Sequence, residues 1–193
     1  MERSNEDLMR AYQAGETQAM ELLFQRYKIR ILNFCYGLLS NRADAEEAAA
    51  EAFLALVVEK DSFDPSRTFS TWFYTIARNK CISRIRKRNS FVSFWTEASS
   101  EDSEGEMWDV PDSRDTSREE LARKEVLAGV RKAIYRLPPE QKEAMVLRQY
   151  HGFSYQQISQ ILGCSLEKVK TLIFRAKEQL RSELMSFVKE ERP

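Results

Sequence analysis

The stretch FSYQQISQILGCSLEKVKTLIFRAKEQLRSEL, from Phe153 to Leu184, leaves few options for folding. Its apolar residues recur at three and four, the period of a helix with one buried face. Ser154 stands where it caps a first short helix, whose inner face is Ile158, Ile161 and Leu162. Gly163 supplies a turn, and Cys164 is small enough to pack beneath it. Ser165 caps a second helix, along which Val169, Leu172, Ile173, Ala176, Leu180 and Leu184 share one side. Lys170, Thr171, Phe174, Arg175, Lys177 and Arg181 share the other. A helix held by an apolar stripe, with a basic stripe left free, is the helix-turn-helix arrangement for the DNA major groove. An αα-hairpin in any bundle, its cations merely solvated, satisfies the same spacing.

The rest of the chain has a composition to match. With 42% hydrophobic and 31% charged residues, and only 6 Gly and 5 Pro in 193, it reads as an all-α globular protein. The charged start MERSNEDLMR leads into no apolar h-region, so no signal peptide is expected, and no run is long enough for a membrane span. Cys35, Cys81 and Cys164 are isolated and odd in number. They suit small buried residues in a reducing compartment, with no metal site or disulfide frame. The expected location is cytoplasmic. A single histidine, His151, and no phosphate loop or nucleophile–base set leave little material for an enzyme, and no cofactor is expected.

The formal net charge of zero hides a segregation. Every charged residue from Arg67 to Arg88 is basic, those from Glu97 to Asp115 are acidic apart from Arg114, and the C-terminal third is basic again. Such a layout suits a polyanion gripped at two places. In chain order, Leu8, Met9 and Tyr12 mark a first helix ending near Gly15. Thr17 is placed to cap a second, in which Leu23, Tyr27, Ile31, Phe34 and Leu38 repeat at helical spacing. Asp44 is placed to cap a third, reaching about Lys60. It opens with Asp44, Glu46 and Glu47, where the helix dipole favours carboxylates, and Glu47 and Glu51 share a face opposite Ala48, Ala52 and Leu56, a face that fits plain solvation or docking of a basic partner.

After a turn at Asp64-Pro65, Ser70 or Thr71 caps a helix through Arg88. Phe73, Ile76, Ala77, Cys81 and Ile85 make its buried stripe. Phe69 and Trp72 cluster at its start, and Trp72, Thr75, Arg78, Asn79, Arg86 and Lys87 stay outside. Aromatic faces for bases, cations for phosphates and an amide for a base edge suit single-stranded nucleic acid, although a core-plus-solvated-face reading fits this segment equally well. Residues 89–116 break the helical period. They read as an acidic flexible linker of roughly 25 residues, spanning about 25–30 Å as a coil, with Phe91, Phe94, Trp95, Met107 and Trp108 as apolar groups that would pack on something. Helical pattern resumes at Ser117 and passes Leu137, Pro138-Pro139 and a helix from Glu140 to Tyr150. The expected organisation is two small helical domains, 1–88 and 117–193, joined by that linker.

These residues resemble the extracytoplasmic-function (ECF) sigma factors, group 4 of the main bacterial sigma superfamily. ADAEEAAAEAFLALV is similar to region 2.2, FDPSRTFSTWFYTIARNKCISRIRKR to regions 2.3 and 2.4, and LPPEQKEAMVLRQYHGFSYQQISQILGCSLEKVKTLIFRAKEQL to region 4. The resemblance implies a non-enzymatic subunit that binds core RNA polymerase and directs it to promoters. It implies docking of the Asp44, Glu47, Ala50 and Glu51 face on the β′ clamp helices, with Ala50 standing where the family usually has Gln. It implies −10 single-strand contacts by Phe69, Trp72, Arg78, Asn79 and Arg86, with Asn79 lining a pocket for a flipped base and residues 62–68 varying with base preference. It implies −35 duplex contacts by Lys170, Thr171, Phe174, Arg175 and Lys177, where Lys170 replaces a family Arg and Leu172 another. An anti-sigma factor is an expected partner, and membrane insertion is not. The alternatives are a stand-alone helix-turn-helix regulator, which would bind duplex sites without polymerase, and, further off, an interaction adaptor or an enzyme.

Overall fold

The computed structural model describes residues 3–94, 129–130 and 132–190, with side chains over 3–88, 129–130 and 132–185. Among these residues every regular element is a helix, and the chain divides into two compact units. Of the expected linker, 89–116, residues 89–94 are helical, and residues 95–116, including Trp95, Met107 and Trp108, lie outside the described residues. So does the start of the following helical pattern, including Leu121.

The first unit contains α1 (Asn5–Gln13), α2 (Thr17–Leu39), α3 (Arg42–Val58), a 3-10 turn (Lys60–Ser62) and α4 (Phe69–Phe94). Ser4 caps α1 by accepting the Asp7 N–H at 3.0 Å. Two of the expected caps shift. Glu16, not Thr17, occupies the cap position of α2, where its carboxylate makes no capping bond and instead pairs with Arg3 at 2.6 Å. Asn41, not Asp44, caps α3, its side-chain oxygen 2.9 Å from the Asp44 amide. Ser40 ends α2 in the left-handed conformation with φ 54°, so the chain reverses before Asn41 and leaves Asn41 extended as a cap requires. Asp44 then sits in the first turn, where its charge favours the helix dipole.

The helix α4 starts at Phe69, ahead of Ser70 and Thr71, and runs to Phe94, beyond the expected end at Arg88. Asn89 to Phe94 contains neither Gly nor Pro, so no backbone feature stops it. Its inner face is aromatic. Phe69 and Phe73 are fully buried and meet Tyr27 of α2 edge-on, with ring centres 5.2 and 5.7 Å apart. Phe53 of α3 closes on Phe73 at 5.0 Å, and Tyr74 lies 5.0 Å from Phe34. Burying each ring contributes about 1.5–3 kcal/mol, with about 0.5–1.5 kcal/mol more for an edge-to-face pair. Ile76, Ala77 and Cys81 are buried as expected, while Ile85 is only partly so. Five alanines line the inner face of α3 (Ala45, Ala48, Ala49, Ala52 and Ala55), so the bulk between the helices comes from α2 and α4.

The remaining elements are helical residues 132–136, then α5 (Pro139–Gln149), α6 (Tyr155–Leu162) and α7 (Leu166–Glu190). Pro139 opens α5, where a missing N–H costs nothing. The Ser154 hydroxyl accepts the Gln157 N–H at 3.2 Å, and Gln157 Oε1 accepts the Ser154 N–H at 2.9 Å, a reciprocal capping box. Gly163 takes φ +64°, the left-handed turn that a side chain would resist, and Ser165 caps α7 by accepting the Lys168 N–H. Ile158, Ile161, Val169, Leu172, Ile173, Ala176 and Leu180 are buried, as are Ala144 and Leu147 of α5.

The Tyr27 hydroxyl accepts a hydrogen bond from Asn5 Nδ2 at 2.9 Å, and burial pushes its pKa up to about 12. A phenol whose folded pKa lies above its unfolded value of 10.0 stabilises the fold fully below pH 10. That stabilisation is lost as pH rises through about 12. Thermal unfolding from pH 9 to 12 should therefore reveal a loss of about 2–3 kcal/mol that Tyr27→Phe lacks.

Candidate nucleic-acid and partner interfaces

On α7 the apolar stripe is turned inward, and Lys170, Thr171, Phe174, Arg175, Lys177 and Arg181 are exposed. Phe174 leaves 65% of its surface in solvent, a position that core packing does not explain. Thr171 donates its hydroxyl to the Glu167 carbonyl at 2.9 Å. Lys168 is tied to Glu140 of α5 at 2.7 Å and braces the turn. Arg148 does the same for the preceding turn, donating to the Phe153 carbonyl at 3.0 Å and lying over the Tyr155 ring. Leu172, which stands where the family pattern carries Arg, is buried, so that position faces the core of the unit.

On α4, Trp72, Asn79 and Arg86 are seven apart and so fall on one stripe. Asn79 and Arg86 are exposed, and Arg78 is half-buried beside them. Trp72 is half-buried, leaning on Phe63 at 5.2 Å and Phe69 at 5.9 Å, which fixes its indole while part of it stays accessible. Phe69 differs from its expected role. It has no exposed surface and lies among Tyr27, Phe63, Trp72 and Phe73, so it supports the stripe from beneath and cannot itself touch a strand.

The connection before α4 is held from a distance. Gln13 of α1 donates through Nε2 to the carbonyls of Lys60 and Phe63, at 2.8 and 2.9 Å. Glu6 accepts the Phe69 N–H at 2.8 Å, which places a carboxylate on the first turn of α4. Asp64 accepts the Ser66 N–H at 2.9 Å, and this backbone bond holds its carboxyl below the usual carboxylate range. Residues 64–68 project outward from these anchors, all of them exposed. Nothing in the local pattern marked Gln13 or Glu6 for these roles.

On α3, Glu47 and Ala50 are exposed, and Asp44 and Glu51 are half-buried. Arg84 of α4 reaches this face: its Nη1 donates to Glu47 Oε2, its Nη2 to Glu51 Oε1 at 2.5 Å, and Asp44 Oδ1 lies 3.9 Å away. Burial opposes the charge, yet the hydrogen bonds that Arg84 donates to the two glutamates hold the guanidinium pKa above its ordinary value. The same stripe continues as exposed Leu54, Val57 and Val58, an apolar extension that sequence reasoning missed. The spacing of Leu54 and Val58 from Glu47 and Ala50, in steps of seven and eight, was the signal that could have found it.

Residues 23–91 match the family model for Sigma-70 region 2, and residues 127–180 that for Sigma-70 region 4. The chain is 34% identical over 172 residues to the ECF RNA polymerase sigma factor SigW of Bacillus subtilis, covering 88% of this chain and 91% of that one. It is 28% identical over 193 residues to the RNA polymerase sigma-H factor of Pseudomonas aeruginosa, covering 98% of each. Among solved structures, the sigma factor RpoE of Bartonella quintana, crystallised with the anti-sigma factor NepR, is similar with a TM-score of 0.70 at 24% identity, over 89% of this chain and 98% of that chain. CnrH, solved with the cytosolic domain of CnrY, is similar with a TM-score of 0.69 at 22% identity, over 95% and 99%. At these identities the two structures speak to the fold.

Proposed function

The chain belongs to the ECF sigma factors, and from that premise we propose how its surfaces divide the work of an RNA polymerase sigma factor. Sigma factors are initiation factors that act through polymerase, and their part is recognition. In this reading residues 1–88 bind polymerase and the −10 strand, 89–116 connect, and 117–193 read the −35 duplex. Asp44, Glu47, Ala50 and Glu51 meet the polymerase clamp, with Leu54 and Val58 extending that contact. Lys170, Thr171, Phe174, Arg175 and Lys177 enter the −35 major groove, Arg175 at a base edge or phosphate and Phe174 with its ring against apolar base surface. Trp72, Arg78, Asn79 and Arg86 receive the separated −10 strand. Extruding a base costs a few kcal/mol of stacking, which a prepared amide and an indole face recover.

The observation that carries this reading is the outward stripe of Trp72, Asn79 and Arg86 on α4, held in place by a buried aromatic face. A stand-alone helix-turn-helix regulator has no use for such a stripe. One neighbour of the same fold, RpoE of Bartonella quintana, was solved with an anti-sigma factor, which supports an anti-sigma protein as a further partner here. Work on polymerase and promoter DNA places the protein in the cytoplasm in this reading; among the described residues no helix is long and apolar enough to cross a membrane.

The test is transcription of genomic DNA by core RNA polymerase with and without the purified protein, followed by sequencing of transcript 5′ ends. Start sites that appear only with the protein and share upstream −35 and −10 elements are expected. Tight sequence-specific duplex binding by the protein alone, with no transcripts gained, would sink the reading in favour of a regulator. Arg175→Ala should weaken −35 duplex binding by about 1–3 kcal/mol and relax preference at one base pair. A change in salt slope alone, equal for all sequences, would instead mark Arg175 as a phosphate contact. Asn79→Ala should impair open-complex formation, followed by permanganate footprinting, while −35 binding stays at the wild-type level. An unaltered footprint would remove Asn79 from the strand-opening site.

A further inference from the structure

Arg84 belongs to the basic end of α4 but not to its outward stripe. It lies two residues before Arg86, about 200° around the helix, and reaches across to α3. There its planar fork spans two carboxylates one helical turn apart, Nη1 on Glu47 and Nη2 on Glu51. The exposures are unequal in a telling way: the Arg84 side chain is 19% exposed, but those of Glu47 and Glu51 are 67% and 45% exposed. The cation is sunk between the helices and the anions stay in solvent, so the pairing does not mask the acidic face. Each carboxylate commits one oxygen to Arg84, Oε2 of Glu47 and Oε1 of Glu51, and keeps the other.

We infer that Arg84 is a positioning residue for polymerase docking, which orients the Glu47 and Glu51 carboxylates on α3 so that their remaining oxygens meet a cationic partner surface already ordered. This rests on the reading that the acidic face of α3 docks on polymerase. A glutamate free in solution loses rotamer freedom when a partner captures it, and a face ordered before the encounter avoids that loss. Arginine suits the task because its terminal nitrogens are fixed in one plane, whereas a lysine ammonium is a point charge on a flexible stem. The cation that organises this face is also withdrawn from the −10 strand, unlike exposed Arg86.

The test is a cycle in the full-length protein, measuring affinity for core RNA polymerase, thermal unfolding and binding of a −10 single-stranded oligonucleotide. Arg84→Lys should bind core polymerase about three- to fivefold more weakly, with an unfolding midpoint within about 2 °C of wild type and unchanged oligonucleotide binding. Glu47→Gln with Glu51→Gln should also weaken core binding, and in that background Arg84→Lys should add nothing. If Arg84→Lys destabilises the fold, Arg84→Gln carries the same cycle. An undiminished cost of the Arg84 change in the double-glutamine background, or a loss of oligonucleotide binding, overturns the inference. Core binding by Arg84→Lys equal to wild type, with the double-glutamine variant weakened, overturns it while sparing the docking reading. Wild-type core binding by the double-glutamine variant removes the docking reading and the inference with it.

Discussion

The packing of Phe69 and Phe73 against Tyr27 and Phe53 sets the rest of the first unit. A helix is rigid in rotation: once its first turn is seated, every later side chain has its direction assigned at about 100° per residue. With Phe69 and Phe73 turned inward, Trp72, Asn79 and Arg86 must face out, and Arg84 must face α3. The nucleic-acid stripe and the guanidinium on the acidic face are two consequences of one rotational setting. Tyr27 holds the setting from the other side, its ring between Phe69 and Phe73 and its hydroxyl bonded to Asn5 of α1.

Charge is then distributed by geometry more than by count. The chain is neutral by formal charge, but its charges are kept apart along the sequence. The structure decides which of them are spent internally: Arg84 on Glu47 and Glu51, Lys168 on Glu140, Arg3 on Glu16. The exposed pair of Arg3 and Glu16 contributes little, because water screens it. The Arg84 group acts differently because its cation is largely withdrawn from water, where attraction to both carboxylates is less screened.

The helix-turn-helix stretch was legible in the sequence almost residue by residue. Its apolar stripe, its two serine caps, its left-handed glycine and its basic face are all local features, decided within four residues by helical period and backbone hydrogen bonding. Where the first unit depended on such rules it was legible too, as in the inner residues of α2. Local rules failed where neighbouring residues competed for one role. Thr17 and Asp44 are good capping types, but the α2 cap position falls on Glu16, and the turn at Ser40 gives the α3 cap to Asn41, three residues before Asp44. The family resemblance offered Phe69 as a strand contact, and only its packing among Tyr27, Phe63, Trp72 and Phe73 shows that it is enclosed.

The amino-acid order alone therefore determined that this chain is helical, where its turns fall, which stripe of α7 is free and which family it resembles, because each follows from short-range spacing. Tertiary structure alone decided that Gln13 holds the connection before α4 from 47 and 50 residues away, that Glu6 meets the start of α4 from 63, and that Arg84 joins α3 from 37 and 33. No periodicity encodes such pairings. Each needs two helices already packed at one rotation and one depth, and that is set by buried aromatic volume shared among α2, α3 and α4.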